Sequence, residues 1–164
     1  MASIIKVDTI QTAAGGTPTA AGLGLNTTGS VLQVVQGTSS TQTDVSNQTY
    51  ADTGLSASIT PTSTSSKILV IVTHRVFKGS ANQAGDFRIV RGSTSLGDHV
   101  KGILYGGHTN EDNMSLTMQF LDSPSTTSAT TYKTQMKHNN GNGGIIRTCA
   151  ANSTDIISLM EIAG

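Results

Sequence analysis

An all-β sandwich is the fold this 164-residue chain predicts, and three observations carry it. Strand-length runs rich in β-branched residues recur between turn signals. No window sustains a helical period. Exposed positions are filled by Ser and Thr, roughly a quarter of the residues, rather than by the Lys, Glu and Ala that usually cover helices. The length suits one domain with a sizeable core, and the spacing of the turns favours a jelly roll.

Residues 1–28 stand apart. Ile4 to Ile10 reads as one short strand, but Thr12 to Leu25 is small, flexible and uncharged, and cannot bury enough surface to fold alone. It is either a disordered tail or an arm ordered against a partner. The apolar Ile4, Ile5, Val7, Ile10, Leu23 and Leu25 favour the arm, since a solvated linker has no use for them. Residues 29–164 form the sandwich.

Gly29-Ser30 opens a first strand from Val31 to Gln36, and Leu55 to Ile59 alternates with period two until Pro61 ends it. Lys67 to Phe77 follows, the longest nearly continuous apolar run and the strand on which the rest packs. Ile68, Val70 and Val72 share one face and Leu69, Ile71 and Thr73 the other, so one side enters the core and the other meets a second layer, a neighbouring subunit. His74 and Arg75 are then expected near the rim. Asp86–Val90, Ser95–Leu96 and Val100–Tyr105 read as further strands.

Met114, Leu116, Met118 and Phe120 alternate with polar residues, as in a strand with one wet face. Thr130 to Lys137 alternates again, with Tyr132, Thr134 and Met136 on one face. Asn139 to Gly144 reads as a hairpin loop whose partner strand is Ile145 to Ala150. The chain then runs apolar through Ile156–Ile162, which places this last strand inside a sheet or at a subunit interface.

The chemistry is sparse. Ten basic and ten acidic side chains cancel, so no global field draws nucleic acid or an anionic membrane. Lys67 to Lys101 nevertheless carries a net +4 and the remainder −4, which suits pairing between neighbouring strands or subunits, with a mild anion-binding face as the alternative. The single cysteine, Cys149, forms no intrachain disulfide and reads as a small buried hydrophobe. The N-terminus does not look like a signal peptide, and no run reaches membrane-spanning length. The protein is therefore expected to be soluble and cytoplasmically made. His74, His99, His108 and His138 show no metal-ligand spacing. A triad of His74, Asp86 and some serine can be drawn on paper, but a Ser-rich chain makes it uninformative. Glu111-Asp112, the single acidic pair, reads as a solvated loop rather than a glycosidase site. No catalytic, metal or cofactor site is expected.

Several segments together carry a family resemblance: residues 1–11 (Met-Ala-Ser-Ile-Ile-Lys-Val-Asp-Thr-Ile-Gln), 29–36, 64–70, 121–134 and 158–162 (Ser-Leu-Met-Glu-Ile). In order and number they resemble virion proteins of tailed bacteriophages, especially phages of marine bacteria and cyanobacteria, of the tail-fibre or receptor-binding type. The resemblance implies a non-enzymatic homotrimer located in the virion and assembled in the host cytoplasm. An N-terminal attachment arm would dock on other virion proteins, followed by a C1q/TNF-like or fibre-head-like sandwich. Host-facing contacts would fall on outward loops, at Asn82, His108, Asn110, Asn139, Asn140 and Asn142, with a cell-surface glycan as ligand. Fibres usually carry a long shaft, whereas here the arm runs almost directly into the sandwich, so a capsid decoration protein is the alternative. A cellular carbohydrate-binding module is a second one, and a small polysaccharide depolymerase using Glu111 and Asp112 is the enzymatic rival.

Overall fold

The computed structural model describes residues 11, 14–18, 22–23, 28–79, 81–105, 112–140 and 144–164, among which the chain forms ten strands and one short 3-10 turn. They are β1 (Val31–Ser39), β2 (Thr43–Val45), β3 (Ala51–Ile59), β4 (Lys67–Lys78), β5 (Gly85–Arg91), β6 (Thr94–Ile103), β7 (Asp112–Asp122), β8 (Thr130–His138), β9 (Ile146–Thr148) and β10 (Asp155–Ile162). The 3-10 turn, Ala150–Asn152, separates the last two.

All strand pairs are antiparallel and fall into two sheets. In the first, the β4 sheet, β4 pairs with β7 from Ile68 to Lys78. On its other side it pairs with β10 from Lys67 to Thr73, then with β9 from Val76 to Lys78. β1 lies outside β10 and β2 outside β9. Thus β1/β2 and β9/β10 each act as one long strand, interrupted opposite the same stretch of β4. The second, the β8 sheet, has the order β3-β8-β5-β6. Counted this way the molecule is two four-stranded sheets, with the chain passing repeatedly from one to the other, as in a jelly roll.

The alternation seen in the sequence decides what lies between the sheets. Ile68, Val70 and Val72 are fully buried, and so are Ile157, Leu159, Phe87, Ile89, Tyr132 and Met136. Burying each such side chain is worth about 1.5–3 kcal/mol, which makes this layer the main stabilising element. One edge closes tightly. A Cβ on Gly37 of β1 would stand 2.1 Å from the Ser56 carbonyl oxygen of β3, so only a residue without one allows that approach.

Three local expectations are corrected. β9 is three residues long and lies in the opposite sheet from β8, so β8 and β9 do not form a hairpin. Loop composition signals a reversal but does not say which sheet receives the chain. Ser95–Leu96 and the first part of Val100–Tyr105 merge into the single strand β6, which stops at Ile103 and whose pairing with β5 shifts register repeatedly, and Gly97 at φ 113 lets the chain continue through the irregularity. His74 is not at the rim: β4 keeps alternating to Lys78, which puts the imidazole in the interior at 0% exposure.

Candidate interaction surfaces and a buried polar centre

The outer face of the β4 sheet follows directly from register, because directly paired residues project to the same side of a sheet. Val34, Met160, Leu69 and Leu121 form one continuous row across β1, β10, β4 and β7. Val31, Ile162 and Lys67 make a shorter row beside it. On its other side lie Gln36, Ser158, Ile71 and Gln119, then Thr38, Ile156, Thr73 and Thr117. Val31, Val34 and Leu121 are 55%, 57% and 50% exposed. The side of β4 assigned to a second layer is therefore an open, largely apolar sheet face without a carboxylate in these four rows.

Past Thr73 the same face covers itself. The Arg147 guanidinium lies 5.0 Å from the centre of the Phe77 ring, and Asp44 accepts from its Nε and Nη2 at 2.7 and 2.9 Å. That double contact holds Asp44 below its ordinary value, through the hydrogen bond from Arg147 above all.

The outer face of the β8 sheet is of the opposite character. Tyr50 stacks under the Arg88 guanidinium, 3.9 Å from the ring centre, and donates to Asp98 Oδ1 at 2.9 Å. Burial, and then that bond to Asp98, push its phenol above the ordinary range. Asp52 accepts from Lys133 Nζ and Gln135 Nε2, each at 2.7 Å, and Gln135 in turn accepts from Arg88. Lys101–Asp98 and Lys137–Asp86 lie beside them, while Arg91–Asp122 joins β5 to β7 of the other sheet and pairs a cation of the basic stretch with a carboxylate outside it. The exposed pairs Lys133–Asp52 and Lys101–Asp98 are each worth about 0–1 kcal/mol, so this surface is built for water.

Of the residues expected on outward loops, the structure brings together Asn82, Asn139 and Asn140 at one end of the sandwich. Asn140 Nδ2 donates to the Asn82 carbonyl, and the Asn139 amide donates to Ala84 O at 2.8 Å. Asn139 Nδ2 donates at 2.6 Å to Asp86 Oδ1, which also accepts from Gly102 N. Much of their hydrogen bonding thus ties the loops to one another. His108, Asn110 and Asn142 lie outside the described residues, as do Ile4, Ile5, Val7, Ile10 and Leu25 of the arm. Leu23 is described and 45% exposed. Glu111 also lies outside, and Asp112 is exposed at the start of β7.

A polar chain crosses the core where β9/β10 is interrupted. Asp155 Oδ2 receives His74 Nδ1 at 2.6 Å and Cys149 N at 3.1 Å, while Oδ1 receives Arg75 N at 2.8 Å. On the far side of the ring, His74 Nε2 meets Thr134 Oγ1 at 3.0 Å, and Thr134 Oγ1 meets Thr53 Oγ1. One proton assignment satisfies the whole chain: Leu55 N–H to Thr53, Thr53 to Thr134, Thr134 to Nε2, and Nδ1–H to the carboxylate. Burial works to raise the pKa of Asp155, but the bonds from His74 and Arg75 outweigh it and hold the carboxyl below its ordinary value.

The order hydroxyl, imidazole, carboxylate is that of a nucleophilic relay, yet Thr134, His74 and Asp155 are all 0% exposed and the hydroxyl already bonds Thr53. The arrangement joins the two sheets; it presents nothing to a substrate. The triad drawn from the sequence is corrected as well: Asp86 serves Gly102, Asn139 and Lys137, and Asp155 is the partner of His74. Cys149 is buried as expected, and its Sγ donates to Ser39 O at 3.2 Å. Among the described residues no three His, Cys, Asp or Glu side chains gather closely enough to hold a metal ion.

Sequence reasoning missed Asp155, since the Ser153-Thr154-Asp155 stretch reads as an ordinary loop, and it missed the row of Val34, Met160 and Leu121, since only register brings them beside Leu69. No family model matches the chain, and no curated protein does. Among solved structures, a chain from a structure of infectious bursal disease virus, Gx strain, aligns at a TM-score of 0.43 and 12% identity, over 82% of this chain and 33% of its own length. This chain thus spans about a third of that one, and a TM-score below 0.5 carries no functional argument.

Proposed function

We propose that this protein is a non-enzymatic structural protein of a tailed-phage virion, a short homotrimeric tail fibre or receptor-binding appendage anchored through residues 1–28. The reading starts from the resemblance of the five sequence segments. The observation that carries it is the contrast between the two outer faces of the jelly roll, one apolar and hydroxyl-lined, the other ion-paired and wetted. Such a contrast suits a subunit that buries one face in an assembly and shows the other to solvent. The loop end holding Asn82, Asn139 and Asn140 would face the host, where amide side chains donate to and accept from glycan hydroxyls.

A second reading, a decoration protein on the capsid, is favoured by one observation: β1 begins at Val31, and only two residues separate it from the 1–28 segment. Immunogold labelling of intact particles with an antibody to this chain separates the two. Label at the tail is expected, label on the head transfers the protein to the capsid, and particles without label overturn the virion assignment. Purified protein should also compete with phage adsorption, and failure to do so would remove the receptor-binding role.

A further inference from the structure

The open face of the β4 sheet needs an occupant, and we infer that it is a second copy of this chain, with the row Val34–Met160–Leu69–Leu121 at the centre of the contact. The inference deepens the proposal above and rests on its homo-oligomeric part, which it supplies with a surface. Size is the first argument. Four strands about 4.8 Å apart and four outward rows about 6.7 Å apart cover a footprint of roughly 20 by 25 Å. That is on the order of 500 Å² when flat and more once side-chain relief is counted, against about 800 Å² per partner in a standard stable interface.

Chemistry is the second argument. An interface between identical copies must be compatible with itself. The polar groups interleaved with the apolar row are Gln36, Gln119, Ser158 and threonines, each able both to donate and to accept. Two such surfaces meet without a charge mismatch. Lys67 and Arg75 fall at the two ends of these rows, where a rim keeps them hydrated. A basic partner would find no carboxylate in the four rows, and an acidic one would find only Lys67 at their end.

The third argument is that the molecule shields apolar surface where it has no use for it. Phe77, on the same face, is 7% exposed under Arg147, while among the described residues no side chain covers the neighbouring rows in that way. An open apolar sheet face of this kind is otherwise an aggregation liability.

The test is the native mass of the full chain at micromolar concentration, for wild type and for the double variant Val34→Glu, Leu121→Lys. Both positions are half exposed, so the subunit fold should survive, as circular dichroism would confirm. Self-association is expected to weaken by about 100-fold or more, since charges would be forced into a desolvated contact. A control, Ser56→Glu on the outer face of the β8 sheet, should leave the mass unchanged. If wild type is monomeric, the inference and the homo-oligomer both fall, and the face is covered by this chain's own residues or by another protein. If wild type is oligomeric and the double variant keeps its mass, the inference alone falls. Should the double variant misfold, Leu121→Lys by itself decides between the same outcomes.

Discussion

Replacing Asp155 with Ala should be among the most destabilising single substitutions in the core, and the structure gives the size of the effect. The carboxylate receives three buried donors: His74 Nδ1, Arg75 N and Cys149 N. Each buried donor left without an acceptor costs about 1–3 kcal/mol. Allowing for some relaxation, Asp155→Ala should lose about 3–5 kcal/mol, a large share of the roughly 5–15 kcal/mol of a typical domain. Asp155→Asn keeps the shape but sets an NH₂ group against at least one backbone N–H, for a loss of about 1–3 kcal/mol.

Urea unfolding followed by far-UV circular dichroism measures both; the chain has no tryptophan to report by fluorescence. Protein concentration must be held fixed, because self-association adds to apparent stability. The pH dependence gives a second readout. The folded pKa of Asp155 lies below its ordinary 3.8, so its contribution is complete above that value and is lost as the pH falls through the folded pKa. The wild type should therefore lose stability below about pH 4 more steeply than Asp155→Asn. An Asp155→Ala protein within about 1 kcal/mol of wild type would refute the bridging role, and so would identical acid slopes for wild type and Asp155→Asn.

Gly37→Ala should lower the melting temperature by about 5 °C or more, since the new Cβ would lie 2.1 Å from Ser56 O and force β1 away from β3; an unchanged melt would deny the close approach. Burial first, and the neighbouring Asp155 second, raise the Cys149 thiol, so it should resist Ellman's reagent until the protein unfolds. Prompt reaction in the native state would contradict its placement. Ile71→Asp should reduce the native mass or prevent folding, whereas Arg75→Ala should change stability by about 0.5 kcal/mol or less; a stable wild-type-like oligomer carrying Ile71→Asp would overturn the role of that face. Arg147→Ala should uncover Phe77 and increase binding of a hydrophobic dye without unfolding the subunit, and unchanged dye binding would show that the cation is not a cover.

How far the sequence could be read depended on how local each feature is. Leu116, Met118, Tyr132, Thr134 and Met136 face inward as their period-two patterns said, because side-chain alternation belongs to a single strand. Leu69 and Ile71 were legible as apolar on the side of β4 away from the core for the same reason. That they line up with Met160 and Ser158 of β10, and with Leu121 and Gln119 of β7, depends on pairing between residues about 50 to 90 positions apart, which no local pattern encodes. The two-part strand β9/β10 was hidden for a related reason: Cys149 at φ 52 and the 3-10 turn interrupt it, and only the β4 ladder on either side shows the halves to be one strand. His74 was misplaced because a charged neighbour, Arg75, made the end of β4 look solvated, while its partner Asp155 lies 81 residues away.

The interruption and the open face are connected. Where the β9/β10 strand leaves β4, the ladder loses an acceptor for the Arg75 amide, and the Asp155 side chain supplies it at 2.8 Å. The same carboxylate then fixes His74, which reaches across the core to Thr134 and Thr53 and sets the spacing of the sheets at that point. Outside, the break divides the β4 sheet in two. On one side β9 and β2 bring Arg147 and Asp44 over Phe77, and the surface is closed by the chain itself. On the other, β10 and β1 bring Met160 and Val34 level with Leu69, and the surface stays open. A strand running unbroken from β9 into β10 would have no such boundary, so the open apolar surface stops at the break that the His74–Asp155 pair occupies.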